Sequence, residues 1–135
     1  MSGLYFDRGR RVLVVRFGSV MSEETVTALR GAVRSFVAAA GRCRLVVDFS
    51  AVETASVPGH FIAEIAQRGP IVTEDMRIFV APRPELFGLS RMYEMQQTET
   101  ADVTRVVRTM AAALEALGIE SLALEPVSDP PGGAR

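Results

Sequence analysis

Asp48, Ser56 and His60 are the residues of this 135-residue chain whose types could together do chemistry. A carboxylate, a hydroxyl and an imidazole are the parts of nucleophilic hydrolysis: the imidazole takes the hydroxyl proton and the acid orients the imidazole. Ser56 and His60 lie four residues apart near one helix start. No orienting acid stands at a useful spacing from them, and the plainer reading is structural. Ser56 is a suitable N-cap, Pro58 suits the first helical turn, Asp48 at a strand end can cap a turn through its own backbone, and His60 reads as a partly exposed first-turn residue. His60 is the only histidine and Cys43 the only cysteine, which excludes an internal disulfide and a His/Cys zinc or iron site. No glycine-rich phosphate loop follows a strand, so no catalytic residue and no cofactor is expected.

Two other groupings point to binding. In "APRPE" Arg83 stands just ahead of a helix, where a guanidinium and unpaired N–H groups can hold a small anion. The start of the second helix should lie at the same sheet edge. Asp48, Ser50, Ser56, Gly59 and Arg83 together form a candidate ligand or regulatory edge, at the carboxyl ends of strands where open α/β sheets bind. In the third helix Leu86, Leu89 and Tyr93 make one face and Phe87, Arg91 and Met95 a second stripe at i, i+4 and i+8. Aromatic, Arg and Met side chains are enriched at protein interfaces, which makes Phe87, Arg91 and Met95 a candidate surface for a protein partner or for self-association.

These residues must be held by a regular frame, and the sequence pattern supplies one. "LYFD", "RGR" and "RVLVVRFGSV" read as strand, tight turn and strand, with Gly9 as the permissive residue and Arg8, Arg10 and Arg11 at a solvated tip. "MSEETVTALRGAVRSFVAAAG" is an amphipathic helix. Ser22 is its N-cap, Glu23 and Glu24 favour the positive end of its dipole, Val26, Leu29, Val33, Phe36, Val37 and Ala40 form its buried stripe, and Gly41 stops it. "CRLVVDF" is a nearly continuous apolar strand, of the kind covered on both faces in parallel sheets, and Cys43 opens it as a small buried hydrophobe. A second helix is expected from about Ser56 to Arg68, with Phe61, Ile62, Ile65 and Ala66 inward and Gly69-Pro70 ending it. "MRIFVAP" is a further buried strand and "RPELFGLSRMYEMQQ" a third helix, with Pro84 in its first turn. In "ADVTRVVRTMAAALEALG" the apolar positions fit a helix throughout. The β-branched cluster nevertheless favours a strand near Thr104 to Arg108, followed by a helix from Met110 to Leu117. "PVSDPPGGAR" has no apolar period and reads as a disordered tail, so one domain over residues 1–125 and a tail over 126–135 are expected.

Alternation of buried strands with helices argues for an α/β fold: a mixed, mostly parallel sheet with an N-terminal hairpin and about four helices. The length suits a single domain, and 48% apolar residues suffice for a core. All fifteen basic residues are arginine and the formal net charge is −1, so no basic face for nucleic acid is indicated. No apolar run spans a bilayer and no signal-peptide layout opens the chain, so a cytoplasmic domain is expected.

The order of elements, with "LVVDFSAV" leading through a small-residue turn into a helix, resembles the STAS domain of anti-sigma-factor antagonists over roughly residues 3–118. "RIFVAPRPELFGLSRMYE" is similar to small bacterial STAS-like proteins often grouped with CRAL-TRIO lipid-binding domains. In the STAS family a strand ends in Asp or Asn, and an Asp-Ser-Ser-Gly-like turn opens the next helix, its first serine being the phosphorylated switch. Set ungapped from Asp48, Ser56 falls on the acidic position, Val57 on the phosphorylated serine, Pro58 on the next serine and Gly59 on the glycine. Shifting by one residue puts Ser56 on the phosphoserine, but leaves Ala55 on the acid and Pro58 on the glycine. The resemblance therefore implies the scaffold and a non-enzymatic regulatory, protein-binding role without the usual switch. The CRAL-TRIO likeness implies a small-ligand or lipid-binding domain as the alternative.

Overall fold

The computed structural model describes residues 2–67, 77–96 and 104–127. Its elements are β1 (Gly3–Asp7), β2 (Val12–Arg16), β3 (Val20–Ser22), α1 (Glu23–Ala40), β4 (Arg44–Asp48), β5 (Thr54–Ser56), α2 (Gly59–Gln67), β6 (Arg77–Val80), α3 (Pro84–Gln96), β7 (Thr104–Val107), α4 (Met110–Leu117) and β8 (Glu125–Pro126). Six strands form one sheet in the order β7-β6-β4-β2-β1-β8. Strands β2, β4, β6 and β7 run parallel, and β1 is antiparallel to both β2 and β8. The fold is mixed α/β with a mostly parallel sheet and four helices among the described residues.

The period of two along each strand divides the core. Leu13, Val15, Leu45 and Phe79 face α1, α2 and α3, joining Val26 and Val33 of α1, Phe61 of α2 and Leu86 of α3. Val12, Val14, Val46, Ile78 and Val80 face the other way, toward Ala113 and Leu117 of α4, with Ile119, Leu122 and Leu124 of the following segment. Parallel neighbours need a crossover helix each, which places three helices on the first face and leaves α4 to cover the second.

Local chemistry fixes the ends. Ser22 Oγ accepts a hydrogen bond from the Thr25 N–H at 3.3 Å and Thr25 Oγ1 accepts one from the Ser22 N–H at 2.8 Å, a reciprocal cap on α1. Gly41 ends that helix at φ +91°. Thr109 Oγ1 caps α4 by accepting from the Ala112 N–H, and Gly118 closes it in the left-handed region. The strand-then-helix division of residues 104–117 is as the β-branched cluster predicts.

Four details depart from or extend the sequence reading. The positive φ of the first hairpin falls on Arg11 (+56°) instead of Gly9. Arg11 is exposed at the tip as expected, but its guanidinium has a further role, donating to Ala40 O at 2.6 Å and to Arg42 O and so satisfying carbonyls at the end of α1. Ser56 ends β5, which pairs in parallel with β3, and α2 begins only at Gly59, so Ser56 is a strand residue and not an N-cap. Pro126 and Val127, expected in the tail, lie at the sheet edge, where the Val127 N–H donates to Leu4 O at 2.9 Å. The remainder of the expected tail, and the ends of α2's and α3's predicted inward faces at Ile62, Ile65, Ala66 and Tyr93, lie outside the described side chains.

Asp7 holds this edge together. It is 2% exposed, and its carboxylate accepts hydrogen bonds from the Ala123 N–H at 2.8 Å, the Arg10 N–H at 2.8 Å and the Arg10 guanidinium. The Ala123 and Arg10 N–H groups hold its carboxyl below the ordinary carboxylate range, against the opposing effect of burial.

Candidate functional site

The carboxyl ends of β2, β4 and β6 meet where the sequence placed the candidate edge. Asp48 closes β4 beside Arg16 of β2 in the ladder register. It is buried; Oδ1 accepts from the Ser50 N–H at 2.9 Å and Oδ2 lies 3.4 Å from Arg16 Nε. The Arg16 guanidinium in turn stacks on Tyr5, 4.7 Å from the ring centroid. The short polar side chain bonding two residues ahead is the reason the chain turns at Ser50.

The loop beyond Asp48 is pinned from several sides. The Phe49 N–H donates to Val80 O, and the Glu53 and Thr54 N–H groups both donate to Ser19 O. Val52 and Val57 are buried and anchor the loop in the core. Arg83 is exposed, yet its guanidinium is already engaged by the protein. It donates to Val52 O at 3.3 Å and Glu53 O at 3.2 Å, and pairs with Glu85 at 3.2 Å. Ser50, Ser56, Gly59 and His60 are exposed on this frame. Among the described residues no hydrogen bond joins Asp48, Ser56 and His60, and no cluster of three or more His, Cys, Asp or Glu could hold a metal ion.

The candidate interface on α3 is more covered than its sequence spacing suggests. Phe87 is half-buried against the core, and the Arg108 guanidinium lies 4.3 Å from its ring centroid. Arg91 is exposed, and the Met95 side chain lies outside those described.

A second feature has no counterpart in the sequence reading. Between α1, α3 and the middle of the sheet lies a half-open cavity of about 110 Å³. Val15, Leu45, Val47 and Phe79 form its floor, Val26, Leu29 and Val33 one wall, and Leu86, Leu89 and Ser90 the other; Arg30 and Arg77 also line it. Arg77 is buried and donates from Nη2 to Thr104 Oγ1 at 2.6 Å. Ser90 is 4% exposed, and its Oγ has no hydrogen-bond partner among the described residues. The sequence offers the residue types but not the recess itself: Ser90 stands four residues after Leu86, and Arg77 shares its strand face with Phe79.

Comparison of the chain with protein-family models and with characterised proteins finds no match. Among the described residues no helix is long and apolar enough to cross a membrane.

Proposed function

We propose that the chain is a non-catalytic binding module of the STAS type, whose surface for a protein partner is the loop platform at the carboxyl edge of the sheet. The observation that carries this reading is the way Asp48 and Arg83 are engaged. Both are tied to the loop backbone and to neighbouring side chains, so they rigidify residues 49–56 and leave Ser50 and Ser56 outward. A platform ordered before binding loses less conformational entropy when a partner docks. Catalysis would instead call for a nucleophile and a base in mutual reach with an orienting group.

The platform works without the family's phosphoserine switch. In the ungapped register Val57 takes the position of the phosphorylated serine, and it is buried at 9% exposure in the same core as Phe61 and Leu86. In the shifted register Ser56 takes it, but as a strand residue two positions before Pro58 and without an acidic neighbour. Partner binding is therefore constitutive or controlled by other means.

The test is site-specific photocrosslinking in the native host, with the crosslinker at Ser56 and, as a control, at Glu115 on the exposed side of α4. One partner captured from Ser56, absent from Glu115, and diminished by Arg83→Ala supports the platform. Identical capture from both sites, or none from Ser56, overturns it.

A further inference from the structure

The cavity between α1 and α3 is separate from the loop platform, and neither reading depends on the other. We infer that it is a binding site for a small, mostly apolar molecule, about one aromatic ring in size, that carries a single acceptor oxygen met by the Ser90 hydroxyl.

Its place in the fold is the first reason. Val46 and Val47 are neighbours on the central strand β4 and point to opposite faces. Val46 is wholly buried, whereas Val47 keeps part of its surface, as does Phe79 beside it on β6. The middle of a sheet covered by three helices is where apolar side chains are ordinarily closed over completely. Here the helices leave a recess instead.

Ser90 is the second reason. A serine inside a helix commonly returns its hydroxyl to the carbonyl four residues earlier. That bond is not made, and among the described residues nothing else accepts from or donates to Ser90 Oγ. A buried hydroxyl without a partner is unfavourable, and it lies in the wall of the cavity. An oxygen on a bound molecule would satisfy it.

Size and lining set the ligand class. A closed apolar cavity of about 150 Å³ accepts benzene. The recess here is somewhat smaller at about 110 Å³ but half-open, which fits one ring with a small substituent and not a long acyl chain. The Ser90 hydroxyl can donate as well as accept, so an acceptor oxygen on an otherwise apolar ligand is the group that meets it.

Toluene and phenol are the probes, because they share a shape and differ in the oxygen. Methyl-resolved NMR titration of the whole chain reads binding at each wall. Both compounds should give saturable shifts confined to the methyls of Val15, Val33, Leu45, Val47, Leu86 and Leu89. Val33→Phe, which fills the recess, should weaken both by tenfold or more. Ser90→Ala should weaken phenol about fivefold, the loss of one hydrogen bond, and toluene less than twofold. No saturable shifts in the unmodified protein, shifts located elsewhere, or equal loss of both probes in Ser90→Ala would each overturn the assignment. Should Val33→Phe fail to fold, the shift map and the Ser90→Ala comparison decide the matter alone.

Discussion

The two faces of the sheet are covered in opposite ways. Among the described residues, one has three helices and keeps a half-open recess; the other has the single helix α4 and is sealed. On the α4 face Val12, Val14, Val46, Ile78 and Val80 are all at 0% exposure. The segment from Ile119 to Leu124 completes that seal, and Asp7 holds it in place through the Ala123 N–H. Closure thus depends less on the number of helices than on how near to each other they lie. An irregular segment that follows the sheet surface fills space that two straight helices leave between them.

The largest effect should come from the sealed face. Ile78→Ala removes a wholly buried side chain with no room for relaxation, and should cost about 4 kcal/mol in chemical denaturation. A cost below about 1.5 kcal/mol would show that this face is looser than its burial implies.

The latch that seals it should fail in acid. The folded-state pKa of Asp7 lies below its unfolded value, so its contribution is complete above an unfolded pKa of about 3.9 and is lost as pH falls through the folded value. Asp7→Asn should remove that part of the pH dependence and cost about 2 kcal/mol at neutral pH, since charged acceptors of buried N–H groups are worth more than neutral ones. Parallel acid titrations of the two proteins, followed by circular dichroism, check both statements.

The most direct comparison places one substitution on each face of the same strand. Val46→Phe overpacks the sealed side and should cost about 1–3 kcal/mol, whereas Val47→Phe enters the recess and should change stability by no more than about 0.5 kcal/mol. Equal costs in thermal unfolding would erase the difference between the faces. The smallest effect concerns α3. Arg108→Ala uncovers the Phe87 ring and should cost about 0.5–1 kcal/mol, while raising the tendency to self-associate at high concentration, measurable by sedimentation.

Much of the frame was legible because local signals agreed with one another. Ser22, the two glutamates after it and the three- and four-residue apolar steps all described α1, and the structure adds only that Thr25 completes the cap. In residues 104–117 the helical period and the β-branched cluster conflicted, and the cluster decided the first part because those residues pair in parallel with β6 as the edge strand of the sheet. Strands β3, β5 and β8 were not visible. They are two or three residues long, and pairing between β3 and β5 joins segments far apart in the chain. That pairing also took Ser56 out of its expected cap. At the candidate edge the residue types were legible but not their partners. Arg83 looked available to an anion because the sequence cannot show that two carbonyls of the preceding loop reach it first. The recess was hidden for a related reason: it is a distance between helices, and no single helix encodes it.

The bond between Ala123 and Asp7 spans 116 residues of chain. During synthesis the outer edge of β1 therefore stands unpaired, and the α4 face unsealed, until almost the whole domain has left the ribosome. An open edge strand beside exposed valines is the arrangement from which nascent chains stick to one another. The segment from Ile119 to Pro126 thus decides how long the growing domain must be protected, well before it contributes to the stability of the finished fold.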